Sequence, residues 1–238
     1  MRRDTFGIAL AGALVVLGGA CTDGGDPLII LQNQVPGDGC TISASQSDTF
    51  ISRGLIDTQA DTGYLFNPIV QNNAVDPTTS TAPPRIATIQ GAEVSLTPQA
   101  GFNLSVDDSL LHFTRKFGGT IQPSGGVTAF SFVILDKALL DAIGQSLAVG
   151  DDPVEVDAKI TVFGNLNGTG VESQPFSYPV LVCNGCMQRT VGTCATLAAD
   201  FVASTGGQCN TLQDVYTDCC TAADGSLTCP AVPPAGTP

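Results

Sequence analysis

The stretch Val154-Glu-Val-Asp-Ala-Lys-Ile-Thr-Val162 decides the fold of this chain. Apolar and polar side chains alternate along it, so that the apolar ones share one face and the polar ones share the other. This period of two predicts a half-buried antiparallel strand. The pair Asn167-Gly168 follows, and it suits a tight reversal with positive φ. A second alternation returns as far as Val182, so the sequence predicts a β-hairpin over about 154–182.

Further strand patterns precede this hairpin. They lie at 28–35, 49–56, 63–70, 86–97, 110–117 and 127–135. One helix is expected at about 136–147, where apolar residues recur at helical spacing and Asp136 can cap the first turn. Polar segments at 71–84 and 118–126 are expected to be loops. Roughly seven or eight strands predict a mainly β fold, an antiparallel sandwich (Ig-like, Greek-key) or a partly open barrel with one short helix.

Cysteines divide the chain into a predicted body, 28–182, a cysteine-rich tail, 183–229, and a C-terminus expected to be disordered, 230–238. The tail holds Cys183, Cys186, Cys194, Cys209, Cys219, Cys220 and Cys229. Seven cysteines cannot pair among themselves, so full oxidation requires Cys40 to bond one of them. The neighbours Cys219 and Cys220 should bond different partners, because a disulfide between adjacent residues is strained. The remaining connectivity stays open at this stage.

Zinc is the alternative to a disulfide for Cys183-Asn-Gly-Cys186. A structural zinc site normally needs a second pair of thiolates or histidines at similar spacing, and the tail offers only the adjacent Cys219-Cys220. A redox role fits less well, because redox CxxC motifs open a helix whereas this one ends a strand. Disulfides are therefore favoured over zinc, and an oxidising compartment would favour them further if the chain is exported.

The first twenty residues have the pattern of an export signal, the predicted signal peptide 1–20. Arg2 and Arg3 precede an apolar run from Phe6 to Leu17, and small residues then lead to Cys21. The run is shorter than the ~20 residues that span a bilayer. Lipidation of Cys21 would leave eight cysteines, an even set for four disulfides. The alternative is an ordinary cleavage after Ala20.

The run Leu17-Gly-Gly-Ala-Cys21, together with the strand end Tyr178-Pro-Val-Leu-Val-Cys-Asn-Gly-Cys186, resembles uncharacterised cysteine-rich bacterial surface lipoproteins. Gly18 stands where the lipobox of such proteins usually has Leu. The resemblance implies that Cys21 carries the lipid and that 21–27 is a short tether to the membrane. Gram-negative lipoproteins with a residue other than Asp after the cysteine usually go to the outer membrane, so with Thr22 the resemblance implies this location. The resemblance implies no reaction and no functional side chain.

Charge excludes one class of partner. The chain has 22 acidic and 9 basic residues, a net charge of -13, whereas nucleic-acid binding needs a basic face.

The single histidine, His112, is expected on the solvated face of a strand. The chain contains no G-x-S-x-G, HExxH or Walker A motif. The pair Asp107-Asp108 is interpreted as solvated loop acids, because aspartate prefers the surface.

Calcium is the one cofactor considered, and no other is expected. Its candidate ligands are Asp151, Asp152, Glu155 and Asp157. Glu155 and Asp157 would point to the same side of a strand, so two or three carboxylates could converge. Neither an EF-hand nor a nonapeptide calcium repeat is present, and turns select aspartate without any metal.

Two functions remain open from the sequence. The first is a lipid-anchored envelope protein that contacts another surface component as a non-enzymatic, adhesion-type module. Its long loops would provide the contacts, because function concentrates in loops on a rigid scaffold. The alternative is an exported hydrolase or a ligand- or calcium-binding protein that uses its acidic loops. A pocket that gathers His112 with two carboxylates would favour the alternative.

Overall fold

A computed structural model describes residues 26–76 and 83–232 of the chain. The predictions that fall outside these ranges concern the signal peptide 1–20, residues 21–25 of the predicted tether with Cys21, residues 77–82 of the predicted loop and residues 233–238 of the predicted disordered end. None of the helices in the described part of the chain is long and apolar enough to cross a membrane.

The described residues form fifteen strands, one α-helix and two short 3-10 helices. The strands are β1 (Leu28–Gln34), β2 (Phe50–Ile51), β3 (Gly54–Asp57), β4 (Tyr64–Phe66), β5 (Pro68–Asn72), β6 (Ala87–Pro98), β7 (His112–Ile121), β8 (Gly126–Ala129), β9 (Phe132–Leu135), β10 (Val154–Leu166), β11 (Thr169–Glu172), β12 (Phe176–Cys183), β13 (Gln188–Thr193), β14 (Thr217–Thr221) and β15 (Leu227–Thr228). The helix α1 spans Lys137–Ser146, and the 3-10 helices span Asp108–Leu110 and Cys194–Thr196. The mainly β class with one short helix is confirmed.

The predicted hairpin is the centre of the larger sheet. Its strand order is β3-β12-β10-β6-β7, and β11 pairs with the end of β10. The apolar face of β10 is buried, from Val154 to Val162 at every second residue. Asn167 and Gly168 form the reversal with φ of 52° and 88°. Alternation and turn chemistry agree, so this hairpin formed where the sequence predicted it.

A second sheet packs against the first and makes the fold a β-sandwich. Its strand order is β2-β1-β5-β8, and β4 and β9 form a separate two-stranded ladder. Leu28 and Val70 from this sheet share one buried cluster with Val94 and Val180 of the larger sheet. Two strand pairings depart from the antiparallel prediction, because β3 runs parallel to β12 in the larger sheet and β13 runs parallel to β14 in the tail. β3 arrives from the opposite sheet rather than through a hairpin, so no tight turn imposes an antiparallel direction.

Three predicted strands, 49–56, 63–70 and 127–135, are each divided in two. The division is clearest at Asn67, whose N–H donates to Oδ1 of Asn33 at 2.7 Å. Pro68 follows and has no N–H to offer a ladder. The chain therefore exchanges its neighbour β9 for β1 at this point.

Strand β7 is longer than predicted, since it continues through 118–121 into the expected loop 118–126. Gly119 permits the extension, because a Cβ there would lie 2.7 Å from the ring of Phe130. Ile121 ends the strand fully buried. Residues 118–121 are therefore part of the sheet, and close packing against the Phe130 ring accounts for the glycine at 119.

Helix α1 lies where it was predicted, yet its start is held differently. Asp136 occupies the N-cap position but makes no capping hydrogen bond. Its carboxylate instead pairs with the guanidinium of Arg115 on β7. The ion pair with Arg115 thus takes the place of the predicted capping hydrogen bond. The helix therefore depends on packing of its buried residues, Leu139, Leu140 and Ile143, more than on its first turn.

The cysteine-rich tail folds onto the body. Strands β13, β14 and β15 form their own small sheet, while Met187 and Leu212 belong to the same buried cluster as the sandwich. Thus one core serves both the body and the tail.

Candidate functional site

Four disulfides hold the tail in place. They are Cys40–Cys209, Cys183–Cys186, Cys194–Cys220 and Cys219–Cys229. The first joins residues 169 apart in sequence and ties the tail to the front of the body. Cys219 and Cys220 bond different partners, in agreement with the strain argument. The expected disulfide bonding is therefore present.

The Cys183–Cys186 loop rests on a buried carboxylate. Oδ1 of Asp57 accepts the backbone N–H groups of Gln59 and Gly185, each at 3.0 Å. Its Oδ2 accepts the N–H of Met187 at 3.1 Å. Asp57 is thus the anchor of the loop, because it accepts the buried N–H of Met187, which would otherwise lack a partner, and two partly buried N–H groups.

Asp57, Cys183 and Cys186 are also the only set of three or more metal-ligating side chains that the structure gathers within 26–76 and 83–232. The two sulfurs are bonded to each other, and metal ligation by cysteine requires thiolates. This arrangement corresponds to the disulfide interpretation rather than to the zinc alternative.

A tail segment, 209–215, docks against the edge of the body and forms the site. The side-chain amide of Gln213 makes two hydrogen bonds to the backbone of Leu65. Its Oε1 accepts the Leu65 N–H at 2.9 Å, and its Nε2 donates to the Leu65 carbonyl at 2.8 Å. The Asn210 amide donates to the carbonyl of Gly63 at 2.8 Å. Side chains of the tail therefore take the place of a neighbouring strand along β4.

The backbone of this segment is strained where it turns inward. Leu212 and Asp214 have φ of 64° and 59°, in the left-handed region. Such a conformation costs of the order of 1–3 kcal/mol for a residue other than glycine, and it is unusual for a bulky one. The hydrogen bonds of Gln213 and the burial of Leu212 hold it there. The result is an Asp214 side chain that points toward the sandwich.

The carboxylate of Asp214 receives three hydrogen bonds. The backbone N–H of Leu55 donates to Oδ1 at 2.8 Å. The Tyr64 hydroxyl and Nε2 of Gln213 donate to Oδ2 at 2.9 and 3.1 Å. Among the described residues, Asp214 has no cation within ion-pairing distance. Its charge is hydrogen-bonded but not neutralised.

A chain of buried polar groups extends inward from Asp214. Because the Tyr64 proton goes to Asp214, the Tyr178 hydroxyl is the donor to the Tyr64 oxygen, at 2.8 Å. Nδ2 of Asn33 donates in turn to Tyr178 at 2.7 Å. The four groups connect β1, β4, β12 and the tail by one directed series of hydrogen bonds.

Burial shifts the acidities of these groups. Desolvation raises the pKa of the Asp214 carboxyl, and the hydrogen bonds from Leu55, Gln213 and Tyr64 oppose the rise without cancelling it. Desolvation also raises the pKa of Tyr64 well above its usual value, and the nearby Asp214 charge adds to this. Desolvation is also the largest cause of the raised pKa of Tyr178. Both phenols therefore remain protonated donors at neutral pH.

Asp214 lies in the wall of a cavity of about 190 Å³, here called the Asp214 pocket. Its apolar walls include Val35, Ile51, Leu55 and Val215. Arg53 also borders the pocket, but its guanidinium pairs with Glu155 at 3.1 Å. Pockets for metabolite-sized ligands begin at ~300 Å³. The Asp214 pocket is smaller than that and matches the size of a single side chain.

Two of the four predicted calcium ligands bond to different groups of the protein. Oδ2 of Asp151 accepts the N–H of Ala148 at 2.9 Å, and Glu155 pairs with Arg53. Within the part of the chain that the structure covers, Asp151, Asp152, Glu155 and Asp157 do not form a three-member ligand cluster. The strand placement of Glu155 and Asp157 was right, but the convergence with the loop acids is not seen.

His112 lies on the exposed face of β7, as its position in the alternation predicted. Its Nε2 is 3.5 Å from Oδ1 of Asp108. The side chain of Asp107 accepts the N–H of Ser109 at 2.8 Å and caps the 3-10 helix, a hydrogen bond that lowers the pKa of this carboxyl. Asp107 and Asp108 thus begin a short surface helix beside His112, and within the described ranges no second carboxylate joins His112 and Asp108 to form a cluster of three ligands.

Sequence reasoning missed Asp214, Tyr64 and Tyr178. The two tyrosines were interpreted as strand residues only, and Asp214 was one of many loop acids. One signal was available: Tyr64 and Tyr178 are two of only three tyrosines in the chain, and a buried tyrosine hydroxyl usually requires a partner. The identity of that partner depends on tertiary contacts.

No protein-family profile, curated protein or solved structure matched this chain in the comparisons made.

Proposed function

We propose that this protein is an exported, lipid-anchored component of the bacterial cell envelope that acts as a non-enzymatic interaction module. The observation that carries the proposal is the pairing of its cysteines. Four disulfides use eight of the nine cysteines. Cys21 therefore has no cysteine of its own chain left to pair with, and lipidation gives this residue a role.

The disulfides also support an extracytoplasmic location. Thiols of cytosolic proteins are kept reduced, so four structural disulfides favour an oxidising compartment. The export-signal pattern at 1–20 and the segment 21–27 lead directly to β1, which begins at Leu28. A tether of that length spans at most ~25 Å when fully extended. The proposed anchor would hold the sandwich close to an outer-membrane surface.

The surface supports an interaction role more than catalysis. His112 is exposed and paired only with Asp108 at 3.5 Å, so the histidine-with-two-carboxylates arrangement that would favour an enzyme is not formed among the described residues. The Asp214 pocket is preorganised by hydrogen bonds but small. A rigid, stapled body with a small preformed pocket is suited to recognition of another protein.

Anchoring is tested with Cys21→Ser in the native host. The variant should lose metabolic lipid labelling and move from the membrane fraction to the soluble exported fraction. Thr22→Ser is the matched control, because it changes the neighbouring residue and keeps the acceptor thiol. Continued lipid labelling of Cys21→Ser, or an unmodified mature N-terminus at Cys21, would refute the anchor.

The interaction role is tested by cross-linking on intact cells with a reagent that does not enter them. The wild-type chain should yield discrete adducts with envelope proteins, which peptide mapping assigns to its surface. A chain that is exported and anchored but gives no adduct beyond its own copies would count against an interaction module.

A further inference from the structure

We propose that the Asp214 pocket is the recognition site of this module and that it receives the side chain of a lysine from a protein partner. This inference rests on the proposed function and adds the chemistry of the contact. Two separate observations support it, the carboxylate in the pocket wall and the shape of the cavity.

The first argument is the uncompensated charge. Asp214 is enclosed by the body and the tail, and in the described residues it has no ion-pair partner. Arg53 is the cationic residue among those that line the pocket, and its guanidinium pairs with Glu155 at 3.1 Å rather than with Asp214. A carboxylate that loses hydration without gaining a counter-ion is costly to keep charged. A cation that enters the pocket would remove this cost.

The second argument concerns which cation fits. A carboxylate has about four lone-pair positions, and three are used by Leu55, Tyr64 and Gln213. The remaining one lies on Oδ1. A guanidinium prefers two parallel hydrogen bonds to a carboxylate, whereas an ammonium acts as a point charge and is satisfied by one. The available acceptor therefore favours lysine over arginine.

The third argument is the shape and lining of the pocket. At about 190 Å³ it admits one side chain, and its walls include Val35, Ile51, Leu55 and Val215. A lysine buries its four-carbon stem against apolar walls and directs its ammonium to a polar end. Val35 and Val215 are also 40% and 45% exposed, so apolar surface continues from the pocket to its rim. Such a rim is typical of a protein contact.

The net charge of the chain supports the same kind of partner. A protein with a net charge of -13 attracts cationic surfaces and repels acidic ones. The negative charge would attract a lysine-bearing surface to the pocket. The Asp214 carboxylate would then determine where that surface binds.

The test uses the full-length purified chain in detergent micelles and a blocked pentapeptide, acetyl-Gly-Gly-Lys-Gly-Gly-amide. Titration is followed by the methyl NMR signals of Val35, Leu55 and Val215. The lysine peptide should shift these signals saturably. Peptides with Nε-acetyllysine, norleucine or arginine at the central position should bind roughly tenfold more weakly or not at all, since they lack the charge or the single-point geometry.

Two protein variants complete the design. Asp214→Asn should weaken binding of the lysine peptide by roughly tenfold. Asp200→Asn removes the same charge from an exposed position that does not line the pocket, and it should bind the peptide as the wild type does. Methyl spectra of the free Asp214→Asn variant establish that the fold is retained. If they show that the fold is lost, the charge-neutral peptides on the wild-type chain decide the question.

Equal binding of the lysine and norleucine peptides, or unchanged binding to folded Asp214→Asn, would overturn the pocket assignment. Equal binding of the arginine peptide would overturn the choice of lysine. Concentration-dependent shifts of the same methyls without any peptide would assign the pocket to a second copy of this chain, against a foreign partner. A chain that is anchored and cross-links to envelope proteins but ignores the lysine peptide loses this inference and retains the proposed function.

Discussion

The hydroxyl of Tyr64 donates a 2.9 Å hydrogen bond to Oδ2 of Asp214, across 150 residues of sequence. This bond joins the first half of the sandwich to the tail segment 209–215. It also connects the pocket to the buried pair Tyr64 and Tyr178. The bond therefore serves both the stability of the fold and the geometry of the candidate site.

Tyr64→Phe tests the energetic weight of this bond. The change leaves a carboxylate with one donor fewer and removes the acceptor of the Tyr178 proton, so we expect the free energy of unfolding to fall by about 1–3 kcal/mol. Tyr216→Phe is the control, because Tyr216 is 52% exposed, and it should change stability by less than ~0.5 kcal/mol. Denaturant unfolding of both variants makes the comparison. Similar losses in the two variants would contradict a special role of the Tyr64 hydroxyl.

Gly54→Ala tests the close approach of a ring to β3. A Cβ at Gly54 would lie 2.6 Å from the ring and hydroxyl of Tyr64, which is fully buried and cannot move away. We expect a loss of about 1–3 kcal/mol from overpacking. The control is Gly170→Ala in β11, where a Cβ would meet no atom within 4 Å. Thermal or denaturant unfolding should separate the two, and a neutral Gly54→Ala would show that the ring is not confined.

Asp214→Asn tests the raised pKa of this carboxyl through the pH dependence of stability. The folded state binds the proton more tightly than the unfolded chain, whose carboxyl titrates near ~3.9. The stability of the wild type relative to Asp214→Asn should therefore be greatest below that pH and should decrease as the pH rises through the folded-state pKa. Unfolding free energies of both proteins across the acid range give the difference. A constant or rising difference would exclude a raised pKa.

Asp218→Asn should show the opposite sign. The N–H of Ser204 donates to this carboxylate and Arg189 pairs with it, and together they lower its pKa. The advantage of the wild type over Asp218→Asn should be present at neutral pH and lost as the pH falls through the lowered pKa. The same unfolding series measures both variants. Parallel curves for Asp214→Asn and Asp218→Asn would mean that the two environments do not differ as described.

The disulfides should differ in their effect on stability. Removal of Cys40–Cys209 by a double change to Ser opens a loop with a sequence separation of 169, for which chain entropy gives an upper value of ~5 kcal/mol. Removal of Cys183–Cys186 opens a separation of 3 and should cost only ~2 kcal/mol on the same argument. Denaturant unfolding of the two double variants measures the ranking. A larger loss for the short loop would show that Asp57 and its hydrogen bonds, rather than chain entropy, govern that site.

Local features were predictable because their causes are local. The alternation from Val154 to Val162 determined one buried face, and Asn167-Gly168 supplied the positive φ that a tight reversal needs. The same reasoning placed helix α1 correctly. It assigned a cap to Asp136 that the structure does not contain, because Arg115 on a distant strand competes for that carboxylate. Long-range contacts can override a local preference wherever a side chain has two possible partners.

By itself, the sequence determined that this chain is mainly β, that its central hairpin lies at 154–182 and that an odd cysteine remains once eight are paired. Those properties follow from periodicity, turn chemistry and counting. Only the tertiary structure decided that Cys40 bonds Cys209 and that Tyr64 meets Asp214. Both contacts join residues more than a hundred positions apart. They form because the tail folds back over the shared core. The spacing of residues along the chain does not predict which distant residues this folding brings together.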